Sequence, residues 1–335
     1  MEEKILLAHG SGGKLSHDLI REVFLPAFDN PMLRPLDDSA QVVIEGKRLA
    51  LSTDSYVVKP LFYKGGDIGR LAVFGTVNDL AMCGASPLFL SASFVIEEGF
   101  PIATLKKVVH SMKVASEEAG VMIVTGDTKV VEKGSADQIF INTAGVGFIE
   151  EGVHLSSSNV KPGDRVIVSG FMGDHGISVI TEREGLGFRE KVASDCAPLN
   201  RLVKKMLQFN PSIHCLRDPT RGGLATSINE IAQQSKVGIC IEEASIPIRE
   251  SVRGVCEMLG FDPLYVANEG KLVAFVESKI AERILGVLKA DEMGVDSAII
   301  GEVVSEPRRS VILKTSIGGS RILDMLTGDL LPRIC

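Results

Sequence analysis

The chain has 335 residues, a formal net charge of −7, 45% apolar residues and only 5% aromatics. That length allows two domains with sizeable cores, and charges are spread so evenly that no stretch reads as a membrane span. The acidic balance, with no basic stripe carrying interleaved aromatics, argues against a nucleic-acid surface, so polyanionic ligands would be held through metal ions and backbone amides. The opening Met-Glu-Glu-Lys-Ile-Leu-Leu is acidic and too short in apolar residues for a secretory leader, and the expected compartment is the cytoplasm. The cysteines Cys83, Cys196, Cys215, Cys240, Cys256 and Cys335 form neither a C-x-x-C pair nor a zinc spacing, and the internal ones read as reduced core residues.

In chain order, His9-Gly10-Ser11-Gly12-Gly13-Lys14 comes first, a glycine-rich segment that reads as a phosphate nest or as a flexible arm. It is not a Walker A loop, which would need Gly at Ala8 and Ser or Thr at Leu15. A hairpin is expected over residues 42–53 and a helix over 67–83, closed by Gly84. A strand over 88–96, a helix over 102–119 stopped by Gly120, and strands over 121–125 and 138–149 complete the first half near residue 150. The second half opens with a turn feeding a buried strand at 160–170, and a helix follows Gly173-Asp174-His175-Gly176. Helices are expected over 195–207, 221–235 and 280–290, and strands over 237–242, 272–276, 298–303 and 310–314. Each half carries an alanine-bearing helix followed by a strand, the pattern of a weak duplication. The expected organisation is α/β (α+β) in domains 1–150 and 151–318, with an extended, mobile tail over 319–335. From Thr327 that tail contains a turn signal and Pro332, so no helix should run to the end.

The final residue, Cys335, carries the first chemical signal. Nine residues of extended tail reach roughly 30 Å, enough to swing a thiol into a pocket on the body or on a neighbouring subunit. A thiolate next to the terminal carboxylate is disfavoured by the like charge, with Arg333 a partial offset, which points to loading by another protein. Prenylation is excluded, because Pro332 stands where that motif needs cysteine.

Four acidic motifs fall at expected turns or helix starts: Leu36-Asp37-Asp38-Ser39-Ala40, Ser52-Thr53-Asp54-Ser55, Val77-Asn78-Asp79-Leu80 and Thr125-Gly126-Asp127-Thr128-Lys129. Hard oxygen ligands of this kind suit Mg²⁺, although a single Asp at a strand end is usually a cap or turn former. The Asn78-Asp79 pair is more telling, since it interrupts an otherwise apolar helix with no structural return. Arg217-Asp218-Pro219-Thr220-Arg221-Gly222-Gly223 precedes a helix and reads as an anion site or a cap, while Asn268-Glu269-Gly270-Lys271 offers a carboxylate in a tight turn. Gly145-Val-Gly147 and Gly185-Leu-Gly187 lack the third glycine of a dinucleotide fingerprint. His175 and His214 have no partner at ligand spacing and read as structural.

Taken together, Gly-Ser-Gly-Gly-Lys, Asp-Asp-Ser-Ala, Ser-Thr-Asp-Ser-Tyr, Asn-Asp-Leu-Ala-Met-Cys-Gly-Ala and Gly-Asp-Thr-Lys-Val resemble the superfamily of aminoimidazole ribonucleotide synthetase, selenophosphate synthetase and thiamine-monophosphate kinase. Gly-Asp-His-Gly, Arg-Asp-Pro-Thr-Arg-Gly-Gly-Leu-Ala-Thr and the terminal Pro-Arg-Ile-Cys narrow the resemblance to the carbamoyl dehydratases of hydrogenase maturation. It implies a two-domain fold with mixed sheets, a homodimer formed through amino-domain strands, and ATP with Mg²⁺ near that interface. A carbamoyltransferase, HypF, would load Cys335, the enzyme would dehydrate the thiocarboxamide to a thiocyanate, and the cyano group would pass to iron on the HypC and HypD proteins. On that resemblance the metal ligands are Asp37, Asp38, Asp54, Asp79 and Asp127. The nucleotide contacts are Gly10, Ser11, Gly12, Gly13, Asn78, Gly126, Thr128 and Lys129, and Cys335, Glu269 and Lys129 are catalytic, with Glu269 the base. Two alternatives remain at this stage: a phosphotransferase acting on an external small molecule, for which Cys335 is dispensable, and a cysteine-tailed scaffold or metal chaperone whose acidic motifs are only structural.

Overall fold

The computed structural model describes residues 4–186, 192–326, 328 and 334–335. A short helix α1 (Lys14–Leu19) continues through one π turn into α2 (Leu25–Phe28). Strands β1 (Ala40–Ile44) and β2 (Lys47–Tyr56) form the expected hairpin, joined by Glu45 and Gly46, both at positive φ as a tight two-residue turn requires. After the small pair β3 (Phe62–Tyr63) and β4 (Gly66–Asp67) comes α3 (Ile68–Met82), whose first turn is capped by the Asp67 carboxylate accepting from the Gly69 and Arg70 amides. Strand β5 (Ala85–Glu97), helix α4 (Ile102–Ala119), and strands β6 (Met122–Val131) and β7 (Ile139–Ile149) follow. Gly120, in the left-handed region, ends α4 as its sequence predicted. The sheet order is β1-β2-β7-β5-β6, which leaves β6 on an edge.

The second half builds a sheet in the order β14-β13-β10-β12-β8-β11-β9. Its elements are β8 (Asp164–Val168), α5 (Asp174–Arg183), α6 (Asn200–Met206), β9 (Ile213–Arg217), α7 (Gly223–Ser235), β10 (Gly238–Glu242), α8 (Glu250–Leu259), β11 (Val273–Glu277), α9 (Ala281–Lys289), β12 (Ala298–Val304), β13 (Ser310–Lys314) and β14 (Ser320–Ile322).

Helix α3 explains how the halves meet. It is apolar nearly all round, which fits a helix covered on every side rather than one lying on a surface. One side packs on the first sheet, and Leu80 and Ala81 join a core with Leu199, Leu202, Leu216 and Ile284 of the second half. Each fully buried Leu or Val on it contributes about 1.5–3 kcal/mol. Asn78 and Asp79 are thereby carried into the seam.

Three differences from the sequence reading matter for the site. Strand β6 runs to Val131 instead of stopping at 125, because it pairs in parallel with β5 up to Glu97, so Asp127 lies inside a strand and not at its end. Helix α6 starts at Asn200 rather than at 195. Ala197 precedes Pro198, which disfavours helical backbone, and its carbonyl is bound by the Asn78 amide. The second sheet continues past residue 318, where the tail was expected to begin: β14 pairs with β13 and Leu323 is fully buried. Of the tail motif, Thr327 and residues 329–333 lie outside the described residues, as does Gly187. The chain's end, Ile334 and Cys335, is docked on the body.

Candidate functional site

A cleft of about 440 Å³ opens where the inner face of β2, the Asn78-Asp79 step of α3, the loop before β1 and the segment after β9 converge. Asp38, Asp79 and Asp218 meet there, each offering a carboxylate oxygen within 4.8 Å of the others. Ser52 and Ser39 fix Asp79, the first donating its hydroxyl to Oδ2 at 2.6 Å and the second to the backbone carbonyl at 2.9 Å. Arg217 Nε holds Asp38 at 2.9 Å, and its Nη2 is paired with the buried Glu230, whose other oxygen meets His17 Nε2 at 2.7 Å. Asp54, on the same face of β2, and Arg221 also line the cleft.

Burial raises the Asp38 carboxyl well above the usual range against the pull of Arg217, with Asp218 and Asp37 adding to the rise. Asp79 is raised by burial and then by Asp218, Asp38 and Asp54, and Asp218 is pushed to about 6, burial again leading. Three acids that resist joint ionisation, all with hard oxygen donors in ligating range, suit a divalent cation such as Mg²⁺. Burial, partly opposed by other charges, would lift Glu230 as well, but Arg217 and His17 outweigh it and keep this carboxyl low, so Arg217 sits between two carboxylates.

Glu269, only 4% exposed, and Cys335 line the same cleft. The Glu269 amide donates to Asp195 Oδ1 at 3.0 Å, while Oε1 is a buried acceptor without a hydrogen-bond partner among the described residues. Burial, then Asp218, Asp195 and Asp54, push its carboxyl well up. A Cys335 carboxylate oxygen accepts from the Val57 amide at 2.9 Å, and the charge at Cys335 is the largest influence raising the Arg221 guanidinium.

Several expected site residues are placed elsewhere. Asn78 does not face the cleft: it donates to the carbonyls of Ala197 (3.1 Å) and Glu269 (3.2 Å) and accepts from the Leu199 amide (2.8 Å), stitching α3 to the second half. Asp37 does line the cleft, but it is taken by the Ser156 hydroxyl at 2.8 Å and the Ser157 amide and is not one of the ligating trio. Of Gly10, Ser11, Gly12 and Gly13 only Gly12 lines the cleft, and its amide is bound by Ser16 Oγ while the Lys14 amide goes to the Leu326 carbonyl. A phosphate nest is therefore not formed by those two amides. Gly126, Asp127, Thr128 and Lys129 lie on the exposed edge strand β6, the first three beside a separate groove of about 940 Å³. Gly126 is there for close packing, since a Cβ would stand 2.1 Å from the Ala92 carbonyl oxygen of β5.

Comparisons with known proteins place the chain in a family. Residues 36–149 match the family model described as AIR synthase related protein, N-terminal domain, and residues 161–314 match its C-terminal counterpart. Carbamoyl dehydratase HypE of Azotobacter vinelandii is 52% identical over 98% of this chain and 96% of that protein. The chain belongs to the HypE family of carbamoyl dehydratases. Among solved structures, hydrogenase maturation protein HypE in complex with ATP is 50% identical over 99% of this chain and all of that one, with a TM-score of 0.84. A chain of a HypE–HypF complex is 53% identical over 92% of this chain and 99% of its own, with a TM-score of 0.88.

For this HypE-family chain, sequence reasoning missed Asp218 as a candidate ligand, Arg217 and Glu230 as its bracing pair, and His175 as a contact of the tail. The signal for Asp218 was present, an acid directly after an apolar strand, but a Pro-Thr-Arg-Gly-Gly turn reads equally as a cap.

Proposed function

We propose that the protein uses Mg-ATP to dehydrate an S-carbamoyl group on its own Cys335 to S-cyanocysteine, in the maturation of a nickel-iron hydrogenase. The observation that carries the reading is that Cys335 and the buried Glu269 line one cleft with Asp38, Asp79 and Asp218. A solved relative described as HypE in complex with ATP supports the nucleotide.

Oxide is a poor leaving group, so the carbamoyl oxygen attacks the γ-phosphorus of ATP, ADP leaves, and the oxygen becomes part of a phosphate ester. One N–H proton is lost as the C=N bond forms. Loss of the second proton drives cleavage of the C–O bond, leaving S–C≡N and inorganic phosphate. Mg²⁺ held by Asp38, Asp79 and Asp218 would neutralise charge on the triphosphate. Glu269 takes the first amide proton and the departing phosphate carries off the second: the raised carboxyl of Glu269 makes it a strong base once ionised, and its Oε1 has hydrogen-bonding capacity to spare. Arg221 and Asp54 flank the docked terminus, while Glu230 and Arg217 hold Asp38 in place.

We also propose a homodimer through amino-domain strands. The outer face and edge of the first sheet expose Leu51, Phe89, Val95, Val124 and Val130, apolar side chains that a second copy would cover. A second copy there would bring its Gly126, Asp127, Thr128 and Lys129 toward a nucleotide that one protomer contacts incompletely. HypF as the loading partner is supported by the HypE–HypF complex among the relatives. Delivery to HypC and HypD, a cytoplasmic compartment, and division into residues 1–150, a second domain from 151 that runs on through β14 and Leu323, and a tail complete the reading. No helix among the described residues is long and apolar enough to cross a membrane.

The deciding experiment is to carbamoylate the purified protein with its transferase, add Mg-ATP and follow the mass of the carboxy-terminal peptide. Loss of one water at Cys335 is expected. An unmodified Cys335, or a carbamoyl group that persists with ATP bound, overturns the proposal.

A further inference from the structure

The end of the chain is held by groups with no part in the chemistry above. His175, in the first turn of α5, is fully buried, and both ring nitrogens are engaged: Nε2 with the carbonyl of Ile334 at 2.8 Å, and Nδ1 with the Ser194 hydroxyl at 2.9 Å. The Ile334 carbonyl can only accept, so Nε2 carries the proton and Nδ1 accepts from Ser194. The Ser194 oxygen in turn accepts from the Cys196 amide at 3.1 Å, which sets the direction of the whole chain of bonds. Tyr63 packs edge-on against the imidazole at 5.4 Å and fixes its plane. The Ile334 side chain is 5% exposed and belongs to the core cluster that contains Tyr63, Ile177 and Val266. One residue further on, the Val57 amide, just past the end of β2, donates to a Cys335 carboxylate oxygen at 2.9 Å.

We infer that His175 and the apolar pocket around Ile334 form a dedicated seat for the last peptide unit, and that His175 is a positioning residue that reads the Ile334 carbonyl and so places Cys335 in the acidic cleft. The site accepts a chain end of the form branched aliphatic residue followed by cysteine. Its recognition is chemically simple: an aliphatic side chain in a pocket, one imidazole donor on the carbonyl before the terminal residue, and one backbone donor on the carboxylate of the terminal residue. When the tail leaves to be loaded, the imidazole N–H and the Val57 N–H lose their partners and the pocket loses its filling. Every departure therefore costs more than solvent exposure of a free end would, which makes the seated state the resting one. This inference rests on the reading of Cys335 as the group that is modified.

The test is the alkylation rate of Cys335 by iodoacetamide in the full-length protein, read by mass on the carboxy-terminal peptide without ATP or carbamoyl donor. His175→Phe keeps the ring volume and removes the donor. It should raise the Cys335 rate about 10-fold, the effect of one lost buried hydrogen bond, while the buried Cys83, Cys196, Cys215 and Cys256 stay protected. His175→Gln, whose amide can reach the position of Nε2, should recover part of the protection, which a merely space-filling role does not predict. A Cys335 rate equal to wild type in His175→Phe, with the internal thiols protected, overturns the seat. If the Phe variant exposes the internal thiols, Ile334→Ser decides instead, because it alters only the tail. More than about 10-fold faster alkylation is then expected from the lost apolar burial, and an unchanged rate again overturns the inference. Because the assay needs no catalysis, its outcome is separable from that of the dehydration reading. Thiocyanate formation with unchanged alkylation removes the seat alone, and faster alkylation without dehydration in the wild type removes the catalytic reading alone.

Discussion

Replacing Glu269 by Gln should move stability and activity in opposite directions. The residue is 4% exposed, Oε1 lacks a hydrogen-bond partner among the described residues, and burial with Asp218, Asp195 and Asp54 outweighs the opposing pull of Arg221. An ordinary Glu ionises near 4.5, and burial holds this one well above that value. Between the two values the folded protein keeps a proton that the unfolded chain has lost, so wild-type stability falls as pH rises above about 4.5. Glutamine is isosteric, stays neutral and removes that slope. Both side chains bury an oxygen, but at pH 8 only the carboxyl must be held as a desolvated charge or keep its proton, a cost of a few kcal/mol, so Glu269→Gln should be about 2 kcal/mol more stable than wild type at pH 8 and nearly equal to it at pH 4.5. Urea unfolding at the two pH values measures the gap. The same variant should bind ATP normally and form no thiocyanate. A variant less stable than wild type at pH 8 would refute the burial argument, and one that dehydrates at the normal rate would refute the role as base.

Three further outcomes are expected. Asp79→Asn should weaken Mg-ATP binding at least about 10-fold by calorimetry, through loss of one of three converging carboxylates, and unchanged binding would remove Asp79 from the ligand set. Asn78→Ala should cost about 3 kcal/mol in denaturant unfolding, because a buried Leu199 amide and two carbonyls lose their partner; a cost below about 1 kcal/mol would show that the seam does not depend on this side chain. His175 is held to about 4 by burial, against 6.5 for the ordinary group, so the unfolded chain takes up a proton that the folded one refuses. Stability should therefore drop by about 3 kcal/mol in total as pH falls from above 6.5 to about 4, a slope that His175→Phe should flatten.

Much of the first half could be read from sequence because its elements carry their own punctuation. Helix α4 begins after Pro101 and ends on Gly120, and α3 begins on an Asp cap, so local chemistry fixes both ends. Strand β9 and helix α8 escaped. Ile-His-Cys-Leu-Arg is five residues with no alternation, and the polar face of α8 resembles a solvated loop until its neighbours are known. The acidic cluster was half legible. Asp38, Asp54 and Asp79 announce themselves as carboxylates at odd places, but only the packing of α3 against β9 brings Asp218 to them. Asn78 shows the limit from the other side. A polar residue in an apolar helix does signal a duty, but sequence cannot say whether it serves a ligand or a neighbouring backbone.

The placement of α3 has a consequence for how this chain can be handled. A helix with no polar side cannot be returned to solvent, so a fragment ending near residue 150 would present Leu80 and Ala81 bare, and one starting there would lack the wall on which Leu199, Leu202 and Leu216 close. Neither piece should be obtainable alone. Mixing separately refolded halves, swapping halves between relatives, or grafting the tail and its pocket onto another body would all have to carry this helix along, as a keel common to both hulls.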